Sequence, residues 1–190
     1  GTTLRALTVA SGPLRLDAQG HLSSTGSTVT ADLSLSDLSG LDPRWRGGLS
    51  ARLAATGPTG DLRLTVDGTA TDLSIGQDQT DKLLAGKSSL SVAMHLADRA
   101  LSIESAKLVT PQVTATASGS VTDSLRQVDL TARLANLGLF VPDFPGAVSL
   151  TGRATEQGQG IDLALKAQGP GGIDATITGT LAQDLGRADL

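Results

Sequence analysis

The sequence predicts an all-β fold, an extended antiparallel meander with one aliphatic face and one polar face. Three observations carry that prediction. Apolar and polar residues alternate at period two through many short segments, the pattern of half-buried strands. Gly- and Pro-containing clusters punctuate those segments at short intervals. The apolar share, 39%, is nearly all Leu, Ala, Val and Ile, with one Trp, two Phe, no Tyr and one Met. Compact cores usually draw on aromatics that each bury roughly 150–250 Å², so a thin, repetitive core fits this composition better than a ball.

The alternation is clearest in three places. Leu62, Leu64 and Val66 oppose Arg63, Thr65 and Asp67; Leu90, Val92, Met94 and Leu96 oppose Ser91, Ala93, His95 and Ala97; Ile161, Leu163, Leu165 and Ala167 oppose Asp162, Ala164, Lys166 and Gln168. Weaker versions run through residues 4–10, 29–35, 49–53, 113–121, 128–134, 148–154 and 173–181, giving on the order of a dozen strands. Turns are predicted at Gly57-Pro58-Thr59-Gly60, Ala97-Asp98-Arg99, Gln157-Gly158-Gln159-Gly160 and Gly169-Pro170-Gly171-Gly172, where Gly supplies positive φ and Pro fixes it near −65°. The one helical candidate is 79–85, with Asp81 as a cap ahead of Leu83 and Leu84 and Gly86 as the stop.

An internal repeat is visible in two Pro-containing connectors. Ala31-Asp32-Leu33-Ser34-Leu35 leads through Leu38 and Leu41 to Pro43, Trp45, Gly47 and Leu49; Val128-Asp129-Leu130-Thr131-Ala132 leads through Leu137 and Leu139 to Pro142, Phe144, Gly146 and Val148. The expected organisation is a repeat of about 100 residues, 31–127 followed by a truncated copy at 128–190, within a fragment, 1–190, of a longer array. A second echo joins Gly119-Ser120-Val121-Thr122-Asp123 to Gly179-Thr180-Leu181-Ala182-Gln183. Both chain ends, at 4–10 and 187–190, fall inside strand-like pattern, which reads as excision from something longer. Trp45, Phe140 and Phe144 are the chain's aromatics, and all sit in the connectors, where they are expected to plug the edge of the core.

Charge and side-chain chemistry exclude several function classes. The net charge of −4 and scattered Lys and Arg argue against nucleic acid as a partner. Zero cysteines remove disulfides, thiolate nucleophiles and cysteine-based metal sites, and no His-x-His pair offers strand-borne zinc ligands; no metal or cofactor is expected. No apolar run approaches the roughly 18 residues that cross a bilayer. His21, placed in a turn, and His95, on a polar face, lack an oriented nucleophile. Asp162 and Asp174, on neighbouring strands of one hairpin, are expected to be solvated. Gly169 to Gly172 lacks the Gly-Lys-Ser/Thr ending of a phosphate loop. No catalytic residues are assigned, and the chain is expected not to be an enzyme.

What remains is the aliphatic face. A dozen strands about 4.8 Å apart would carry it over roughly 60 Å. It either splits into a sandwich that seals the faces together, or curls into a U whose lining suits acyl chains or an amphipathic strand. Open sheet ends would further permit strand addition.

The short Leu-x-Leu strands, the Gly-x-Leu unit starts, the turn Asp81-Lys82-Leu83-Leu84-Ala85-Gly86 and the Pro-x-aromatic connectors together resemble the TamB-like translocation and assembly module family, close to the AsmA-like proteins. The likeness covers essentially the whole chain, through degenerate motifs. It implies a β-taco repeat region, a curled U-shaped trough with an aliphatic interior. It also implies a periplasmic location in a full-length protein anchored in the inner membrane and joined to an outer-membrane assembly barrel of the TamA class. The implied role is carriage of phospholipid between the membranes, with a link to assembly of autotransporters and other outer-membrane proteins. The anchor helix and the barrel-binding terminus of that family are not recognisable in these residues.

The function expected on this basis is holding or conducting phospholipid acyl chains. The expected lining is Leu62, Leu64, Val66, Leu90, Val92, Met94, Leu96, Leu130, Leu163, Leu165, Ile173 and Ile177. A chaperone-like holder of unfolded strands and a structural β-solenoid stalk are the competing readings.

Overall fold

The computed structural model describes residues 1–97, 100–122, 126–157 and 160–182. These form one open antiparallel sheet of twelve strands in strict chain order. The strands are β1 (Thr2–Ser11), β2 (Leu14–Leu22), β3 (Ser27–Leu35), β4 (Arg46–Gly57), β5 (Asp61–Ser74), β6 (Lys87–Ala97), β7 (Ala100–Val109), β8 (Val113–Val121), β9 (Arg126–Leu134), β10 (Val148–Gln157), β11 (Gly160–Gln168) and β12 (Asp174–Ala182). The single α-helix among the described residues, α1 (Asp78–Leu84), joins β5 to β6. The sheet is a curled meander that does not close.

Register keeps the alternation coherent from one strand to the next. Following ladder partners from β1 to β12 gives the row Leu7, Ala18, Ala31, Leu53, Val66, Val92, Ala106, Ala117, Leu130, Gly152, Leu165 and Ile177, apolar at every strand. The adjacent row, on the other face, runs Thr8, Asp17, Asp32, Arg52, Asp67, Ser91, Lys107, Thr116, Thr131, Thr151, Lys166 and Thr176. A slip of one residue at any hairpin would move a strand's apolar set to the wet face, so each turn is constrained by the pattern on both its strands.

Bulges preserve this coherence where the sequence breaks step. Leu4 and Leu7 are three residues apart, yet both lie on the apolar face, opposite Gly20 and Ala18, because the register shifts between them. Ile103 and Ala106 do the same opposite Gly119 and Ala117. One extra residue absorbed in a bulge resets the alternation and bends the strand.

The two ends of the sheet differ in construction. Six of the seven prolines, Pro13, Pro43, Pro111, Pro142, Pro145 and Pro170, lie at the end that holds α1 and the 3-10 turns Leu38–Gly40, Leu137–Leu139 and Pro170–Gly172. Neighbouring connectors lean on one another there: a Cβ on Gly40 would come within 2.6 Å of the Pro13 ring, and one on Gly86 within 3.0 Å of Pro111. Of the predicted turns, Gly57 to Gly60 and Gly169 to Gly172 are turns, the second with Gly171 and Gly172 at positive φ. The middles of the other two, residues 98–99 and 158–159, lie outside the described residues, as does the strand expected at 187–190.

Three local expectations are corrected. Asp81 does not cap α1; Gln77 occupies the N-cap, and Asp81 lies inside the helix, accepting from the Ser74 hydroxyl and the Ile75 N–H, both at 2.8 Å. It therefore pins the helix to the end of β5. His21 is in β2, paired with Thr3, and is not in a turn, because the strand continues past Gly20. The two connectors do share a conformation: Asp37 and Asn136 each cap a 3-10 turn, at φ −149° with ψ 117° and 111°. However, the strands leading into them, Ser27–Leu35 and Arg126–Leu134, match end to end at a spacing of 99 residues, so Ala31 corresponds to Leu130 and Leu41 to Phe140.

Candidate functional site

The apolar face is the candidate site, and it is not sealed. Among the described residues the buried hydrophobics are Leu35, Leu38 and Ala55, and no large side chain is fully buried. On the same face, Leu90 is 41% exposed, Leu96 37%, Leu130 36% and Ile177 61%. A sandwich would have buried these central leucines between its layers, so the curled, open alternative is the one adopted.

Eleven of the twelve predicted lining residues fall on this face within strands. Leu62, Leu64 and Val66 on β5 stand directly opposite Leu96, Met94 and Val92 on β6, which also carries Leu90. Leu130 on β9 lies between Ala117 and Gly152. Leu165 on β11 meets Ile177 on β12, and Leu163 meets Gly179. Ile173 precedes β12 and stands at the end of the face, where its side chain approaches Gly169. β5 shows the strict alternation of half-buried and exposed residues from Asp61 through Thr71.

Other lining residues escaped prediction. Leu4, Leu7 and Val9 on β1, Leu16 on β2, Leu33 on β3, Leu53 on β4, and Ile103 and Leu108 on β7 share the face. Most belong to segments whose alternation is visible, but β7 reads as irregular because its bulge interrupts the period. Leu73 and Leu84 close one end of the face: with Leu49, Ala51, Ala70, Leu90 and Leu108 they line an almost wholly apolar cavity of about 270 Å³. Ser88 lies in its wall, 8% exposed, with its Oγ buried and without a hydrogen-bond partner. A depression of about 700 Å³ on the other side, around Ser36, Asp37, Arg46 and Asp72, has a mixed polar lining and gathers no nucleophile with an oriented base.

The outer face carries cross-strand ion pairs in place of a reactive cluster. Arg52 donates to Asp32 at 2.7 Å and Arg153 to Asp129 at 2.6 Å. The Arg153 bond, followed by one from Gln127, holds the Asp129 carboxyl below its ordinary range. His95 bonds to Asp61, and His21 to the Thr3 hydroxyl at 3.0 Å. Asp162 pairs with Thr180 whereas Asp174 pairs with Gln168, so the two carboxylates sit toward opposite ends of their hairpin and do not form an acid/base pair. Trp45 and Phe140 are half-buried at the connector end, and Phe144 is 44% exposed with its ring beside Gly171.

Among the described residues no three His, Asp or Glu side chains are grouped to hold a metal ion, and no helix is long and apolar enough to cross a membrane. No family model, curated protein or solved structure matches the chain.

Proposed function

We propose that this chain is a periplasmic segment of an envelope-spanning protein, in which the apolar trough holds or conducts phospholipid acyl chains between inner and outer membranes in support of outer-membrane biogenesis. The observation that carries the proposal is the unbroken apolar row from Leu7 to Ile177, with leucines along its face left open. Acyl chains fit it because they need shielding from water, about 0.8 kcal/mol per buried methylene, and little directional recognition. A lining without point contacts also lets a chain shift from strand to strand without crossing a polar barrier. The unpartnered Ser88 hydroxyl supplies one donor for an ester carbonyl at the cavity under α1. The TamB-like resemblance supplies the compartment, the inner-membrane anchor of the full-length protein and its TamA-class barrel partner.

Lipid extraction and mass spectrometry of the purified chain test this reading. Bound phospholipid is expected; a chain that stays lipid-free after exposure to phospholipid vesicles overturns it.

A second reading, a chaperone-like module for autotransporters and other outer-membrane proteins, is favoured by the same open face, whose exposed Leu90, Leu96 and Leu130 suit the apolar side of an extended client strand. Photo-crosslinking from Leu96 or Leu163 separates the two: lipid adducts support the first, polypeptide adducts the second.

A further inference from the structure

The cavity beneath α1 breaks the repeat of the sheet. At a spacing of 99 residues β2, Leu14–Leu22, coincides with β8, Val113–Val121, and β3 with β9. Val66 then corresponds to Leu165 and, across the ladder, Val92 to Ile177. Four residues further toward the connector end, Ala70 faces Ser88 in the first unit, and Gly169 N–H bonds to Ile173 O in the second. Side chains close this place in the second unit: a Cβ on Gly169 would come within 3.1 Å of Val148 Cγ2 and 3.5 Å of Ile173 Cβ. In the first unit a serine stands where Ile173 stands, α1 is inserted with Leu84 in the wall, and a cavity of about 270 Å³ is left.

The roof of that cavity is anchored at both ends. Asp81 in α1 accepts from the Ser74 hydroxyl and the Ile75 N–H, both at 2.8 Å. Asp72, at φ 50°, donates its N–H to Gly86 O at 2.9 Å and accepts from Gly86 N–H at 3.0 Å through Oδ1. A non-glycine residue stays in that sparsely populated region where surrounding bonds fix it. Leu73, between these anchors, and Leu84 are thereby held in the cavity wall.

The wall offers a single polar side chain to an occupant. Ser50, Thr69 and Ser89 border the cavity but form one ladder row on the outer face, where Ser50 and Thr69 bond to each other at 2.9 Å. Ser88 lies on the apolar face, two residues before Leu90, and its Oγ is the one buried side-chain polar atom without a partner among the described residues. An ordered water needs two or more polar partners and does not find them here. A charged carboxylate or phosphate would lose its hydration for one hydroxyl in return, and each residue of a polypeptide brings an N–H and a C=O that need partners of their own. A neutral ester carbonyl asks for one donor and carries its hydrocarbon with it. Rotation about χ1 moves the serine hydroxyl between staggered positions without disturbing the backbone.

We propose that this cavity is a discrete seat in the trough, where one acyl ester stops with its carbonyl hydrogen-bonded to Ser88 Oγ and its chain against Leu49, Leu73, Leu84, Leu90 and Leu108. The seat rests on the acyl-chain reading for the nature of its occupant and gives that occupant a fixed station. Among the described residues the second unit, with Ile173 in the serine's place, has no such seat, so one ester is held per chain.

Methyl octanoate, isotope-labelled at its carbonyl, titrated into the full chain and followed by infrared spectroscopy, tests the seat. A saturable, one-to-one population is expected, its carbonyl stretch moved to lower frequency by the hydrogen bond. Ser88→Ala should lose that shifted band and bind about tenfold more weakly, while folding at least as well as the parent because it deletes an unpartnered hydroxyl. Ser88→Ile, which copies the second unit, should abolish saturable binding. Phospholipid taken up from vesicles should stay close to the parent's in both variants, since the rest of the lining is untouched. A shifted band that survives Ser88→Ala, equal ester affinity in Ser88→Ile and the parent, or no ester binding by a parent that takes up phospholipid overturns the seat alone. Ester bound at Ser88 by a parent that takes up no phospholipid overturns the phospholipid trough and leaves the seat standing; a parent that binds neither overturns both.

Discussion

Val66 and Val92 face each other directly across the β5–β6 ladder, midway along the apolar face. A cation placed there has no partner on its own face, because the ladder neighbours beyond them are Leu53 and Ala106. Val92→Arg is therefore expected to expel acyl chains. Excluding even two methylenes, at about 0.8 kcal/mol each, corresponds to roughly a tenfold loss of affinity. Thr65→Arg, on the outer face between Ala54 and Ala93, should leave bound lipid unchanged. Quantified lipid per protein in the two variants checks the pair, and equal lipid content in both would show that the face is not where lipid sits.

Gly119 leaves no room for a side chain between β8 and the β9 backbone. A Cβ there would stand 2.2 Å from the Gln127 carbonyl oxygen, whereas one on Gly179 would meet nothing within 4 Å. Gly119→Ala should destabilise the sheet by about 1–3 kcal/mol, the usual range for overpacking against atoms that cannot move aside. Gly179→Ala should be tolerated. Urea unfolding followed by circular dichroism distinguishes them.

Asn136 closes the β9–β10 connector with one oxygen, accepting from Gly138 N–H at 2.9 Å and Gly146 N–H at 3.0 Å. Asn136→Ala should cost about 1–2 kcal/mol, as for loss of a helix cap. Asn136→Asp should retain most of the stability, since Asp37 performs the capping in the equivalent connector. Thermal unfolding of both variants tests the expectation.

Asp42 gives the first connector a pH dependence. The Arg44 guanidinium, and then the Arg44 backbone N–H, hold its carboxyl down at about 2, from an ordinary value of 3.8. A carboxylate whose pKa is lower in the folded chain stabilises it above the unfolded value and ceases to do so as pH falls through the folded one. Asp42 also accepts the Trp45 N–H through its backbone carbonyl, at 2.9 Å. The fluorescence of Trp45, the chain's single tryptophan, should therefore change between pH 3.8 and about 2. Asp42→Asn should remove that change while leaving the neutral-pH spectrum close to the parent's.

The sequence by itself determined the strands, most of the turns and which residues of each strand belong together, because side chains on a strand alternate faces whatever surrounds them. Leu62 through Val66 and Leu90 through Leu96 were legible for that reason. The bulges at Leu4–Leu7 and Ile103–Ala106 were not, since a spacing of three reads as a break in the period until the partner strand shows the extra residue being absorbed. For the same reason Ile103 and Leu108 are not legible and the 99-residue register is blurred; Asp81 reads as a cap because its partners, Ser74 at the end of β5 and Ile75 just beyond it, lie back along the chain. Only the tertiary structure decided that the aliphatic face stays open. Alternation names the face, but whether another layer covers it depends on how the sheet curls and on atoms far away in the chain, and here Leu90, Leu130 and Ile177 remain exposed on it.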